Sequence, residues 1–89
     1  MKDILAYFYQ IVIMTNDINN EGYFFYNNSS FCLKKYTRSK EESFSLLILN
    51  NYMLINNIKI NRIVLNINNE VISYYNNEYY ILLKIDYPD

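Results

Sequence analysis

Three of the six pairs of adjacent asparagines lie between strand-like runs, and this pattern restricts the fold more than any other feature. These three pairs are Asn27-Asn28, Asn68-Asn69 and Asn76-Asn77. Asparagine accepts the positive φ angles of tight hairpin turns, whereas glycine, the usual residue there, occurs only once in the chain. Runs of aromatic and β-branched residues flank each pair, and such runs favour strands. The pattern therefore predicts short antiparallel strands joined by tight turns.

The turns divide the chain into predicted strands. A hairpin is expected from strands 22–26 and 30–36, and a three-strand meander from 62–67, 71–75 and 78–86. Pro88 is expected to close the last strand. Residues 5–14 form another apolar run, which favours a strand because it is rich in aromatic and β-branched residues, although it also fits a short helix.

The segment between the hairpin and the meander has the pattern of an amphipathic helix over residues 40–56. Ser39 and Glu42 form a capping-box sequence at its start, and Asn56-Asn57 supply a left-handed stop. Apolar residues recur at helical spacing, and we expect them to face the sheet: Phe44, Leu47, Ile48, Tyr52 and Ile55. A second apolar stripe, Leu46, Leu49 and Met53, is expected to face outward. A helix that is apolar over more than half its circumference is expected to be covered on two sides.

These elements predict one α+β domain over residues 1–89. Its fold is a single antiparallel β-sheet of five to six strands with one packed α-helix, in the order βββαβββ. A chain of 89 residues has room for one core and for little depth in any active site.

Composition restricts the partners and the chemistry. The formal net charge is -1, from eight basic and nine acidic residues, so nucleic acid is not an expected partner. No apolar window reaches the ~18 residues of a membrane span, so we expect no membrane partner. The single cysteine, Cys32, excludes a disulfide within the chain and fits a reducing, cytoplasmic setting. Without histidine, the common Cys/His zinc spacings cannot occur.

No constellation of residues predicts catalysis. Acid-base chemistry needs titratable groups held together in a cleft, and the carboxylates here are scattered. Glu41 and Glu42 fit the first turn of the helix, where negative charge is favourable. Cys32 lies in an apolar run and is expected to be a small buried residue. We therefore predict no catalytic residue and no metal ligand.

Two segments carry a family resemblance. They are "GYFFYNNSSFCLKKY" at 22–36 and "NINNEVISYYNNEYYILLKIDYPD" at 66–89. The order of elements resembles the N-terminal lobe of spore-coat kinase-like proteins, in the aminoglycoside-phosphotransferase and protein-kinase-like superfamily. The resemblance implies that Lys34, at the end of a strand, contacts nucleotide phosphates. The other interpretation of Lys34 is a solvated strand end.

The sequence departs from that family in three places. The loop "TNDINNEG" has one glycine, the helix has Leu49, Asn50 and Asn51 where a glutamate would pair with the strand lysine, and the catalytic second lobe is absent from these residues. The resemblance therefore implies no phosphoryl transfer by this chain alone. ATP is expected as a cofactor only if a second lobe is present.

Two functions follow as hypotheses. The first is a non-catalytic kinase-like N-terminal lobe that covers a nucleotide cleft or docks a partner. The alternative is a stand-alone structural or protein-interaction module, like those of a spore coat, with no ligand. Both predict a protein partner, either a C-terminal lobe or a second copy of the chain. The expected interface residues are Leu46, Leu49, Met53, Tyr79 and Tyr80.

Overall fold

The computed structural model describes residues 1–87, so the predicted role of Pro88 lies outside the described residues. These residues form two α-helices, one short 3-10 turn at Thr15–Asp17, and a five-stranded antiparallel sheet. The helices are α1 (Lys2–Tyr9) and α2 (Lys40–Ile55). The strands are β1 (Tyr23–Tyr26), β2 (Ser29–Tyr36), β3 (Arg62–Val64), β4 (Ile72–Tyr75) and β5 (Glu78–Lys84). The prediction of an α+β fold with one antiparallel sheet is confirmed.

The last strand, β5, lies in the middle of the sheet. One of its edges pairs with β2, which pairs in turn with β1. Its other edge pairs with β4 along the first half and with β3 along the second half. All of these pairings are antiparallel. The strand order across the sheet is β1, β2, β5, and then β3 and β4 together at the far edge.

Two of the asparagine pairs form the predicted tight turns. Asn27 and Asn28 have φ angles of 51° and 64°, and Asn76 and Asn77 have φ angles of 50° and 64°. Two consecutive left-handed residues give a type I′ turn, whose twist matches that of the flanking strands. The first turn joins β1 to β2 and the second joins β4 to β5, which confirms both hairpins.

The third asparagine pair does not reverse the chain, so the predicted three-strand meander is wrong. β3 and β4 lie end to end along the same edge of β5, because Val64 pairs with Leu82 and Ile72 with the adjacent Ile81. Residues 65–71 form a loop that leaves this edge and returns to it. The loop closes around the buried Asn66, whose backbone N–H donates to the Glu70 carbonyl at 3.0 Å.

The strand expected over residues 5–14 does not form. Residues 5–9 belong to the helix α1, the alternative that the sequence left open, and residues 10–14 lie in neither a helix nor a strand. Ile4 and Leu5 are both buried in the same core cluster. Neighbouring residues of a strand would point to opposite faces, so only a helix places both side chains in one cluster. Gln10, at φ 55°, ends the helix, and the Ile11 N–H donates to the Leu5 carbonyl at 3.1 Å. The predicted order βββαβββ is therefore wrong at its first element.

The long helix occurs where it was predicted, one residue shorter at its end. The Ser39 side chain accepts a hydrogen bond from the Glu42 N–H at 3.2 Å, as a capping residue does. At the other end, Asn57 adopts φ 58° and the Ile58 N–H donates to the Met53 carbonyl at 2.9 Å. Both ends of α2 thus have local hydrogen bonds that fix its length.

The two helices cover opposite faces of the sheet. Leu33 and Leu82 belong to the core cluster that also contains Ile4 and Leu5 of α1. Tyr36 and Ile81 belong to a second cluster, against which Leu46 and Leu47 of α2 pack. Because side chains alternate along a strand, β2 and β5 contribute to both clusters. The sheet is therefore buried by α1 on one face and only partly by α2 on the other.

Candidate interaction surface

Four large apolar side chains form a continuous exposed row along α2. Phe44, Ile48, Tyr52 and Ile55 are 63%, 70%, 62% and 79% exposed. Their spacing places them on one side of the helix over three turns. We call this row the outer stripe. The sequence predicted that these residues would face the sheet, and the structure shows that prediction to be wrong.

Polar side chains explain why α2 packs the other way round. Ser43 and Asn50 are buried on its sheet-facing side. The Asn50 amide donates to the Asn61 carbonyl at 2.8 Å and accepts from the Ile63 N–H at 3.3 Å. Asn50 therefore joins the middle of the helix to the backbone that leads into β3. The Asn61 carbonyl and the Ile63 N–H need hydrogen-bond partners once they are buried. The helix therefore packs on the sheet with the face that carries Asn50, and its more apolar face is left outside.

The outer stripe carries no charge. No charged residue occurs between Ser43 and Ile58, whereas the solvent face of a helix normally carries several. Glu41 lies in line with the stripe, one turn before Phe44, and Lys59 follows its other end. Uncharged apolar patches of this kind mark surfaces that another molecule covers.

A groove of about 660 Å³ opens between α2 and the sheet. Its lining is apolar at the centre, where Leu46 and Leu49 of the helix face residues Ile63, Ile81 and Leu83 of the strands. Arg38 and Glu42 lie at the rim as an ion pair, with their nitrogen and oxygen atoms 3.7 Å apart. Every buried side-chain nitrogen and oxygen of residues 1–87 has a hydrogen-bond partner. The groove can therefore hold apolar groups and offers no uncompensated polar group.

Lys34 is exposed, and it lies on the α2 face of the sheet, opposite Ile81 of β5. Among residues 1–87 it forms no ion pair. Its neighbour Lys35 points to the other face and pairs with Glu78, with Nζ 3.1 Å from the carboxylate oxygen. Hydrogen bonding in this pair raises the pKa of Lys35 and lowers that of Glu78. Of the two lysines, only Lys34 is available to an anionic ligand.

The predicted interface residues do not form one surface. Leu46 and Met53 are half-buried, and Leu49 is 51% exposed at the groove. Tyr79 is half-buried, with its ring centroid 4.9 Å from that of Tyr74. Tyr80 is buried in the core on the α1 face, where its hydroxyl donates to Glu78 at 3.1 Å. Tyr80 is thus a core residue, and only part of the predicted set is accessible.

The sequence did contain a signal for the outer stripe. Ser43 and Asn50 are seven residues apart, so they lie on the same side of a helix. No charged residue lies between 43 and 58, so these two polar residues form the polar side of an otherwise apolar helix. Such a side faces either the solvent or hydrogen-bond partners within the fold. Only the position of Asn61 and Ile63 in the fold distinguishes these two alternatives.

Other reactive groups are scattered. Cys32 is fully buried, its thiol lies 3.7 Å from the Glu21 carbonyl, and burial raises the pKa of the thiol. Within residues 1–87, no three His, Cys, Asp or Glu side chains gather where they would hold a metal ion. In the same part of the chain, no helix has the length and apolar character to cross a membrane.

Comparison with known proteins gives no match. No family model fits the chain, and no curated protein or solved structure is significantly similar to it. The resemblance to kinase-like N-terminal lobes therefore stays a prediction from the sequence. The exposed face of α2 is the feature of the molecule from which a function can be proposed.

Proposed function

We propose that the chain is a non-catalytic protein-interaction domain that binds a partner protein through the outer stripe of α2. One observation carries the proposal: Phe44, Ile48, Tyr52 and Ile55 are each more than 60% exposed along one side of the helix. Burial of such side chains against a partner removes apolar surface from water, at roughly 25 cal/mol per Å². In a cytoplasmic setting, which we propose from the lone buried Cys32, this surface would otherwise promote non-specific association.

The character of the stripe favours a protein partner over other macromolecules. Binding to nucleic acid or to an anionic membrane depends on lysine and arginine at the contact surface. The helix has none between Ser43 and Ile58. Aromatic residues such as Phe44 and Tyr52 are instead enriched at the cores of protein interfaces.

Photo-crosslinking tests this proposal directly. A benzophenone amino acid is introduced at Ile48 in one variant and at Val12 in a matched control, because Val12 is 78% exposed and lies outside α2. We expect discrete protein adducts in cells from the Ile48 position and none from Val12. Equal labelling from the two positions, or no adduct from Ile48, would contradict the proposal.

A second candidate function is the non-catalytic kinase-like N-terminal lobe, supported by Lys34, which is exposed and forms no ion pair within residues 1–87. In this hypothesis the partner is a second lobe and the lysine contacts nucleotide phosphates only in the assembled protein. The loop before β1 has a single glycine, so the chain alone is expected not to bind MgATP.

Titration calorimetry with MgATP tests that expectation. A Kd below about 10 μM would contradict it, which corresponds to a binding free energy more favourable than about −6.8 kcal/mol. If Lys34→Met then abolished binding and Lys35→Met did not, the nucleotide role of Lys34 would be established in the chain alone.

A further inference from the structure

We infer that the partner of the outer stripe is a second copy of this chain, with the two α2 helices packed antiparallel across a two-fold axis. This inference rests on the proposed function, because it names the partner of the same surface. A two-fold interface joins one patch to the identical patch of the other copy, so the patch must be complementary to itself. The outer stripe meets this condition, since it is apolar and uncharged between Phe44 and Ile55.

The charges at its two ends meet the same condition. Glu41 precedes the stripe and Lys59 follows it, and neither residue forms an ion pair within residues 1–87. Lys59 lies outside α2, which ends at Ile55, but the Ile58 N–H donates to the Met53 carbonyl at 2.9 Å and so keeps Lys59 beside the last turn of the helix. An antiparallel arrangement of two such helices therefore brings the Glu41 end of each copy beside the Lys59 end of the other.

A parallel arrangement lacks this complementarity. It would place the two Glu41 carboxylates side by side, and like charges at an interface repel. The helix macrodipoles would also be aligned, whereas antiparallel neighbours oppose each other favourably. The charges at the two ends of the stripe thus favour antiparallel over parallel pairing, and the apolar side chains between them form the contact between the two copies.

The first experiment measures self-association by sedimentation velocity over a series of protein concentrations. We expect the wild-type chain to pass from monomer to dimer as concentration rises. Ile48→Asp is expected to weaken the dimer more than 100-fold, because a charge would be buried at the centre of the contact. Val12→Asp, with the same change at a site 78% exposed, is the matched control and is expected to leave the dimer unchanged. Circular dichroism verifies that each variant is folded.

A charge-reversal cycle tests the antiparallel direction. Glu41→Lys and Lys59→Glu are each expected to weaken the dimer by about three- to tenfold at low salt, from the loss of two symmetry-related surface ion pairs. The double variant restores both pairs with reversed signs and is expected to regain most of the affinity. A double variant weaker than either single variant would overturn the antiparallel arrangement.

The mass of the crosslinked species separates the two proposals. Ile48 adducts with twice the mass of the chain support pairing between copies. Adducts of another mass, together with a wild-type chain that stays monomeric at every concentration, overturn the pairing and leave the proposed function in place. The absence of any adduct from Ile48 overturns both proposals.

Discussion

Asn66 holds together the loop that interrupts the edge of the sheet. Its side-chain amide donates to the Ile72 carbonyl at 3.2 Å and to the Ser73 hydroxyl at 3.1 Å. Its side-chain oxygen accepts from the N–H groups of Asn68 and Glu70, at 2.9 Å and 3.1 Å. The residue is only 4% exposed, so water cannot replace these partners. The side chain thus uses its full hydrogen-bonding capacity within the fold.

We predict that Asn66→Ala destabilises the protein by about 3 kcal/mol, because several buried polar groups lose their partners together. Asn68→Ala is the control, since that side chain is exposed and only its backbone N–H is used, and its effect is expected to stay within about 0.5 kcal/mol. Urea denaturation of both variants measures the difference. Equal stability of the two variants would show that the Asn66 hydrogen bonds contribute little.

The varied roles of asparagine explain where prediction from the sequence succeeded and failed at this scale. Asn27 and Asn28 occupy a turn between two strand-like runs, and this local context was sufficient to predict their conformation. Asn50 instead bonds to backbone groups of Asn61 and Ile63, which the fold brings close. Nothing adjacent to Asn50 in the sequence indicates those partners, so its burial could not be predicted.

At the scale of elements, the left-handed turn residues provide a direct test. Asn28→Ala is expected to destabilise the protein by about 1 kcal/mol, because the asparagine side chain makes local polar contacts that favour φ 64° and alanine lacks them. Asn51→Ala is the same substitution at an exposed position inside α2, where alanine is the better helix former. It is expected to be neutral or slightly stabilising. Thermal denaturation distinguishes the two, and a shift of the same sign in both would contradict the turn assignment.

Local signals fixed some elements and left others ambiguous. The Ser39 cap of α2 and the asparagine turns of the two hairpins depend on neighbouring residues, and all three were predicted. Of the predicted capping box, only the bond from the Glu42 N–H to the Ser39 side chain forms, and the Glu42 carboxylate accepts from the Ser39 hydroxyl instead of its backbone N–H. The run at 5–14 combines residues that favour strands with a length that also suits a helix. Its first half is helical because α1 packs Leu5 into the core cluster on one face of the sheet. In the same way, β3 and β4 share one edge of β5 because of pairings that only the whole sheet establishes.

At the scale of the whole molecule, α1 is an integral part of the core and not an appendage. Leu5 is fully buried, and the Tyr9 hydroxyl accepts a hydrogen bond from Ser73 of β4 at 3.0 Å. The Phe8 carbonyl accepts another from the Ile67 N–H at 2.8 Å. These contacts join the start of the chain to the loop and strand near its other end.

Leu5→Ala is therefore predicted to destabilise the whole protein by about 3 kcal/mol, through lost burial and the cavity left behind. Tyr7→Ala, in the same helix but at a position 69% exposed, is expected to cost less than about 0.5 kcal/mol. Chemical denaturation followed by both circular dichroism and tyrosine fluorescence measures each effect. Two separate transitions in the wild-type chain would contradict a single cooperative core.

The central position of β5 has a consequence for how the protein is made. A ribosome synthesises the chain from its N-terminus, so the strand that pairs with β2, β3 and β4 is the last of the five to emerge. Until then β2 has only β1 beside it, while β3 and β4 have no neighbour in the sheet. All native pairing beyond the β1–β2 hairpin must wait for this strand, and slow assembly is expected of such long-range contacts. A nascent chain stalled after residue 77 should therefore remain sensitive to protease throughout, and early protection of β2 would refute this order of events.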